Sequence, residues 1–218
     1  MEETEHIEIV ILAAGVFPKH QISLQALRKA FFIICCDGAY KELKNSEFST
    51  RNYVVVGDGD SLSPEEKHAL GDRYVCIQEQ DYNDLHKAVH YALGRWPGAS
   101  ITILGATGKR EDHTLGNIGH LADFAELMPD IQMLTDHGRL TIAQGCRHYR
   151  SFPGQQVSLF SMTPEEPVST EGLRWPLKGQ KITRWWQATL NCSLDYEFTV
   201  RGGKLVVFQT HEPKGAGC

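Results

Sequence analysis

The chain has 218 residues, 41% of them hydrophobic and 22% charged, enough for one large core or two small ones and too apolar for intrinsic disorder. Its formal net charge of −5 gives no positive field to draw nucleic acid or an acidic membrane surface. No apolar run approaches the roughly eighteen residues of a membrane span, and the opening MEETEHIEIVILAAG puts acids before its apolar run, the reverse of a secretory signal.

Up to about residue 135, short apolar runs alternate with amphipathic segments. HIEIVILA, FFIICC, YVVVG, RYVCI, SITILG and IQMLT read as buried strands, rich in Val and Ile and ended by Gly or Asp. Between them SLQALRKA, SPEEKHAL, NDLHKAVHYAL and HTLGNIGHLADFAEL carry helical periodicity. Six strands alternating with helical segments predict an α/β fold, an open and mostly parallel sheet with helices on both faces.

From about residue 138 the texture changes to RLTIAQ, GCRHYRSF, QQVSLFSM, GLRWPL, LNCSLDYEFTV and KLVVFQ, strand-like pieces separated by Gly, Pro and Asn with no helical period. A second, all-β domain is expected there, ending in a frayed HEPKGAGC tail. None of the six cysteines forms a CxxC pair and most lie in apolar runs, which fits a reducing, cytoplasmic setting.

In a parallel sheet every strand delivers its C-terminal end to one edge, and ligands bind in the crevice outside it. Asp37 and Gly38 follow FFIICC; Asp58, Gly59, Asp60 and Ser61 follow YVVVG; Asp81, Asn83 and Asp84 follow RYVCIQEQ; Lys109, Arg110, Asp112 and His113 follow SITILG. Two carboxylates about 4 Å apart repel by roughly 4 kcal/mol at an effective dielectric near 20, so several together need cations among them. A hard divalent ion with oxygen ligands meets that need, with Arg110, Lys109 and Lys87 free to face phosphates.

Each piece also has a purely structural reading. Asp37-Gly38 is ordinary turn chemistry, and Asp81 with Asp84 would serve equally as an N-cap with favourable first-turn charge. Asp58-Gly59-Asp60 makes a poor turn for stability alone, and GATGKREDHTL packs two bases, an acid and a histidine into one glycine-rich loop. Gly105 to Arg110 has neither the spacing nor the hydroxyl of a Walker A loop, no GxGxxG follows the first strand, and GxSxG and HExxH are absent. His86 and His90 share a helical face and are read as flanking solvent rather than binding zinc.

Taken in order, Asp37-Gly38-Ala39, Gly57-Asp58-Gly59-Asp60-Ser61, Asp81 to Asp84, and Gly108-Lys109-Arg110-Glu111-Asp112-His113-Thr114-Leu115 resemble the thiamine pyrophosphokinase family, as do Glu171-Gly172-Leu173 and Gly203 to Val207. The resemblance implies a Rossmann-like nucleotide-binding catalytic domain over 1–137 and a β-sandwich over 138–218 that binds thiamine and forms a homodimer. It further implies magnesium-dependent transfer of the diphosphate of ATP to the hydroxyethyl group of thiamine. Asp37, Asp58, Asp60 and Asp81 would hold metal or diphosphate, and Asp58, Asp60, Arg110 and Asp112 would be catalytic. Gly38, Gly57, Ser61, Gly108, Lys109 and His113 would complete the ATP site, with Asp81, Asp84, Asn191 and Phe208 toward thiamine. The chain departs from the family pattern at Lys109, where a glycine is usual, and at Leu190-Asn191, where Ser-Asn is usual. Asp84 and Asp112 are both candidates for the hydroxyl proton. The competing readings are a magnesium-dependent phosphohydrolase with an aspartate nucleophile, and a non-catalytic nucleotide or vitamin sensor.

Overall fold

A computed structural model describes residues 7–213, which fall into two compact units divided between Asp136 and His137. The fold is mixed α/β, with five α-helices among the described residues, none long and apolar enough to cross a membrane.

In the first unit the six apolar runs become β1 (Glu8–Leu12), β2 (Phe32–Cys36), β3 (Tyr53–Gly57), β4 (Tyr74–Cys76), β5 (Ser100–Leu104) and β6 (Gln132–Leu134). All pair in parallel, in the order β6-β5-β1-β2-β3-β4. The chain builds outward from β1 through β4 and then returns to β1's other side, so strand order reverses beside β1. That is where open parallel sheets place their ligand crevice.

The helices are α1 (Gln21–Lys29), α2 (Tyr40–Lys44), α3 (Pro64–Leu70), α4 (Asp84–Arg95) and α5 (Glu111–Leu127). Val10, Leu12, Ile33, Cys35 and Val55 form one core with Ala26, Leu27, Tyr40 and Leu43 of α1 and α2. Strand residues of the opposite parity, Ile9, Ile11, Ile34, Cys36 and Val56, are equally buried, and α4 packs against β1, β2 and β3. Runs of Val and Ile without alternation are what a strand covered on both faces requires. The SPEE start of α3 is a capping box: Ser63 Oγ accepts from the Glu66 amide and the Glu66 carboxylate accepts from the Ser63 amide. Before α4 the cap is Asn83, whose side chain accepts from the His86 amide at 3.0 Å, while Asp84 is the first helical residue. The cap is therefore Asn83 and not Asp81, while Asp84 supplies the favourable first-turn charge. The five-residue α2 was not anticipated.

The second unit contains β7 (Gly138–Arg150), β8 (Gln155–Ser161), β9 (Pro167–Glu171), β10 (Gln180–Lys181), β11 (Ala188–Cys192) and β12 (Glu197–Pro213), with antiparallel pairing. β12 lies along β7 for its length; its first part pairs with β9 on the other side and its later part with β8. Val157, Leu159, Phe198, Val200, Leu205 and Val207 belong to one core, and Tyr149 stacks on Phe198 at a ring separation of 4.9 Å. RLTIAQ and GCRHYRSF are thus one strand through Arg150; LNCSLDYEFTV is split, its LNC ending β11 and its EFTV running on into KLVVFQ as β12. GLRWPL is not a strand: Leu173 makes one isolated bridge to Ser193. Residues 211–213 of the expected frayed tail belong to β12, and residues 214–218 lie outside the described residues.

Candidate functional site

β2 and β3 run in parallel register, with Cys36 beside Val56, so Asp37 and Asp58 leave neighbouring strands at the same edge. Asp37 turns at once into a 3-10 segment, Asp37–Ala39, and its residue is only 2% exposed. Asp37 Oδ2 accepts from the Gly59 amide at 2.8 Å, whereas Oδ1 is buried with no hydrogen-bond partner. A Cβ at residue 57 would lie 2.6 Å from Asp37 Cγ, so the carboxylate crosses the end of β3 only because Gly57 has no side chain. Asp58 Oδ1 accepts from the Asp60 amide at 3.1 Å and Oδ2 from Gln80 Nε2 at 2.8 Å. Asp60 Oδ1 accepts from Ser61 Oγ at 2.9 Å. One oxygen from each of Asp37, Asp58 and Asp60 lies within 4.8 Å of the other two.

Asp37 and Asp58 are perturbed in opposite directions. Burial, reinforced by the neighbouring Asp84 carboxylate, pushes Asp37 up to about 6 against the pull of the Gly59 and Gly38 amides. Asp58 is held below the ordinary carboxylate range by the Gln80 amide, the Asp60 N–H and Lys87. Lys87 is buried, its Nζ 3.3 Å from Asp84 Oδ1 and 3.9 Å from Asp58 Oδ2. Convergent carboxylate oxygens and an unpartnered buried Oδ1 fit a hard divalent ion such as magnesium. Beside them opens a cavity of about 430 Å³ lined by Asp58, Gly59, Asp60, Lys67, Gln78 and Gln80.

The loops after β1 and β5 are bound together. The Gly15 amide donates to the Gly105 carbonyl at 2.6 Å, the Val16 amide to Thr107 at 2.9 Å, and Lys109 Nζ to Ala14 at 2.7 Å. A Cβ on Gly15 would meet the Gly105 oxygen at 2.3 Å, so this contact demands glycine. Gly38 adjoins the same region, its missing Cβ facing Ala14 and Ser61. Asn83 Nδ2 donates to Asn117 Oδ1 at 3.1 Å, and Asn117 Nδ2 donates to the Ala106 carbonyl at 2.8 Å, tying α4, α5 and the β5 loop. After Gly108, Arg110 immediately precedes α5 and grips Asp112 through two hydrogen bonds, at 3.1 and 2.5 Å, with both side chains exposed. Arg110 therefore holds Asp112 below its usual range. The His113 amide donates to Asp112 at 2.9 Å.

Three of the four acids expected at the metal thus come together. Asp81 lies in an exposed turn with its amide bonded to Glu79 and is not in that group. Lys87, expected to face phosphates, is instead buried between two carboxylates. In the second unit Asn191 is buried, its Oδ1 accepting from the Trp175 and Cys192 amides and its Nδ2 donating to the Trp175 carbonyl. Phe208 is partly buried and lies over Gly138. Gln80, Gln78, Lys67 and Asn117 were not singled out from sequence. Gln80 lies beyond β4, which ends at Cys76.

Two family models match the chain: the one described as thiamin pyrophosphokinase, catalytic domain, over residues 24–133, and the one described as thiamin pyrophosphokinase, substrate-binding domain, over residues 138–208. Among curated relatives, thiamine pyrophosphokinase 1 of Oryza sativa subsp. japonica is 33% identical over 145 residues, 60% of this chain and 54% of that protein. Thiamin pyrophosphokinase 1 of Caenorhabditis elegans is 31% identical over 123 residues, 53% of this chain and 49% of that protein. The chain therefore spans about half the length of these relatives. A solved thiamin pyrophosphokinase family protein from Enterococcus faecalis superposes with a TM-score of 0.78 at 24% identity, covering 94% of this chain and 99% of the other. Yeast thiamin pyrophosphokinase gives 0.77 at 13% identity, covering 96% and 87%, a likeness of fold. With both family models matched in order along it, the chain belongs to the thiamin pyrophosphokinase family.

Proposed function

We propose that the chain transfers the diphosphate of ATP to the hydroxyethyl oxygen of thiamine, giving thiamine diphosphate and AMP. The observation that carries this reading is the convergence of Asp37, Asp58 and Asp60 at the C-terminal edge of a parallel sheet, with one buried carboxylate oxygen left without a partner. Family membership supplies the substrate class. In the reaction the thiamine hydroxyl oxygen forms a bond to the β-phosphorus, and the bond from that phosphorus to the oxygen bridging the α- and β-phosphates breaks. AMP departs with that oxygen, and the hydroxyl proton passes to a carboxylate. Asp84 and Asp112 are the two candidates for this proton, each paired with a cation, Lys87 and Arg110 respectively. Such transfers depend chiefly on positioning and on neutralising charge.

Asp37, Asp58 and Asp60 would hold magnesium, which when bound would neutralise phosphate charge among the acids. Asp81 is assigned to the thiamine end. Arg110, Lys109 and His113, with the backbone at Gly38, Gly57, Ser61 and Gly108, are assigned to the nucleotide. On this reading residues 1–137 are a Rossmann-like catalytic domain, and residues 138–218 are a β-sandwich that binds thiamine and forms a cytoplasmic homodimer. Phe208 would meet thiamine directly, and Asn191 would act through the Trp175 backbone that it holds.

Incubation of purified protein with ATP, magnesium and thiamine is expected to yield AMP and thiamine diphosphate in equal amounts. Asp58→Asn should lower turnover by about a hundredfold or more with an unchanged circular dichroism spectrum. Free phosphate released without thiamine would instead identify a phosphohydrolase, and tight ATP or thiamine binding without AMP a sensor.

A further inference from the structure

Lysine is rarely buried unless paired, because its charge must be compensated where water cannot reach it. Lys87 lies on α4, which packs against β1, β2 and β3, and is 5% exposed. Its compensation comes from Asp84 at 3.3 Å and Asp58 at 3.9 Å. Asp58 is itself one of the converging acids, and Asp84 stands beside another, Asp37. Asp84 and Lys87 are three residues apart on one helical face, so α4 sets their separation, while Asp58 arrives from the end of β3. A solvated lysine would swing away when a metal ion arrives. Lys87 has no such freedom, so its positive charge stays beside the acids whether or not a divalent ion is present.

We propose that Lys87 is a positioning residue of this site: a resident cation that fixes Asp58 and Asp84 before metal binds, and that holds divalent-ion affinity down until nucleotide phosphates add their own charge. The proposal rests on the acid trio being the metal site of the reaction above. It differs from a phosphate-facing role, which would leave metal binding without nucleotide unaltered.

The test is a Mn²⁺ titration followed by electron paramagnetic resonance, in the absence of nucleotide, on wild type and Lys87→Met. Removing one positive charge within about 4 Å of a ligand is expected to tighten Mn²⁺ binding roughly tenfold or more, while turnover at saturating magnesium falls. In chelator Lys87→Met should melt well below wild type, and excess Mg²⁺ should restore most of the difference; a side chain acting only through packing would leave the same deficit in both buffers. Folded Lys87→Met with unchanged or weaker Mn²⁺ affinity overturns the proposal. Should that variant not fold in either buffer, Asp84→Asn compared with Asp84→Asn/Lys87→Met decides by the same criterion, tighter Mn²⁺ binding in the double variant being expected. Wild type that makes no AMP would sink the proposed reaction yet leave this titration fully readable.

Discussion

Gly57 illustrates how a single missing side chain shapes the chemistry. It ends β3 beneath the Asp37 carboxylate, and a methyl group there would fall 2.6 Å from Cγ and 2.7 Å from Oδ2. The backbone at this position is held by the Ile77 amide, which donates to the Gly57 carbonyl at 2.9 Å, so the acid must yield rather than the strand. Gly57→Ala is therefore expected to weaken Mn²⁺ binding more than tenfold while lowering stability by only about 1–3 kcal/mol, as overpacking does. Titration and a denaturant melt on the same sample check this, and unaltered metal affinity would show that Asp37 is not a ligand. The acids of this site were legible in the sequence because strand ends in a parallel sheet collect at one edge. Gln80 was not, because RYVCIQEQ looks like one extended run. Only Tyr74–Cys76 pairs with β3, and the chain then leaves the sheet, bringing Gln80 to Asp58 from outside it. Lys87 was found but misdirected, since helical period alone does not reveal that a lysine among Leu85, Ala88 and Val89 points to carboxylates.

Between elements, a short side-chain relay does what no strand pairing does here. Asn117, in α5, receives the Asn83 amide and donates to Ala106, so the start of α4 is tied to the loop after β5 through two hydrogen bonds. Asn117→Ala removes both and leaves the Ala106 carbonyl without that donor, which is expected to cost about 1–3 kcal/mol. A denaturant midpoint equal to that of wild type would dismiss the relay as incidental. At this scale the first unit was largely readable, because each Val- and Ile-rich run is one buried strand. The second was readable only as β structure. Glycines taken as ends of strands, Gly145 and the Gly202-Gly203 pair, lie inside β7 and β12, where register shifts near Gly202 absorb them. GLRWPL has the composition of a strand, yet the Trp175 backbone is bonded by the Asn191 side chain in place of a neighbouring chain.

For the molecule as a whole, the acid group links metal, pH and stability. Burial pushes Asp37 from its ordinary 3.8 up to about 6 in the folded chain. Between those values the folded chain keeps a proton that the unfolded chain has released. The contribution of Asp37 to stability is therefore fully present below about 3.8 and is lost as pH rises through about 6. Asp58 runs the other way: its folded value is depressed, so its contribution is present above its unfolded value of 3.8 and fades as pH falls. Asp37→Asn, which cannot ionise, should consequently be more stable than wild type in chelator at pH 7.5, by up to about 3 kcal/mol for a two-unit shift. That advantage should shrink towards nothing by pH 4. Excess magnesium should reverse the order at pH 7.5, because an ion that binds only the folded wild type adds stability by mass action and the variant has lost a ligand. Denaturant melts of both proteins at the two pH values, with and without magnesium, measure all four terms. Wild type more stable than Asp37→Asn in chelator at pH 7.5 would mean that the buried carboxylate carries no strain for a metal ion to relieve.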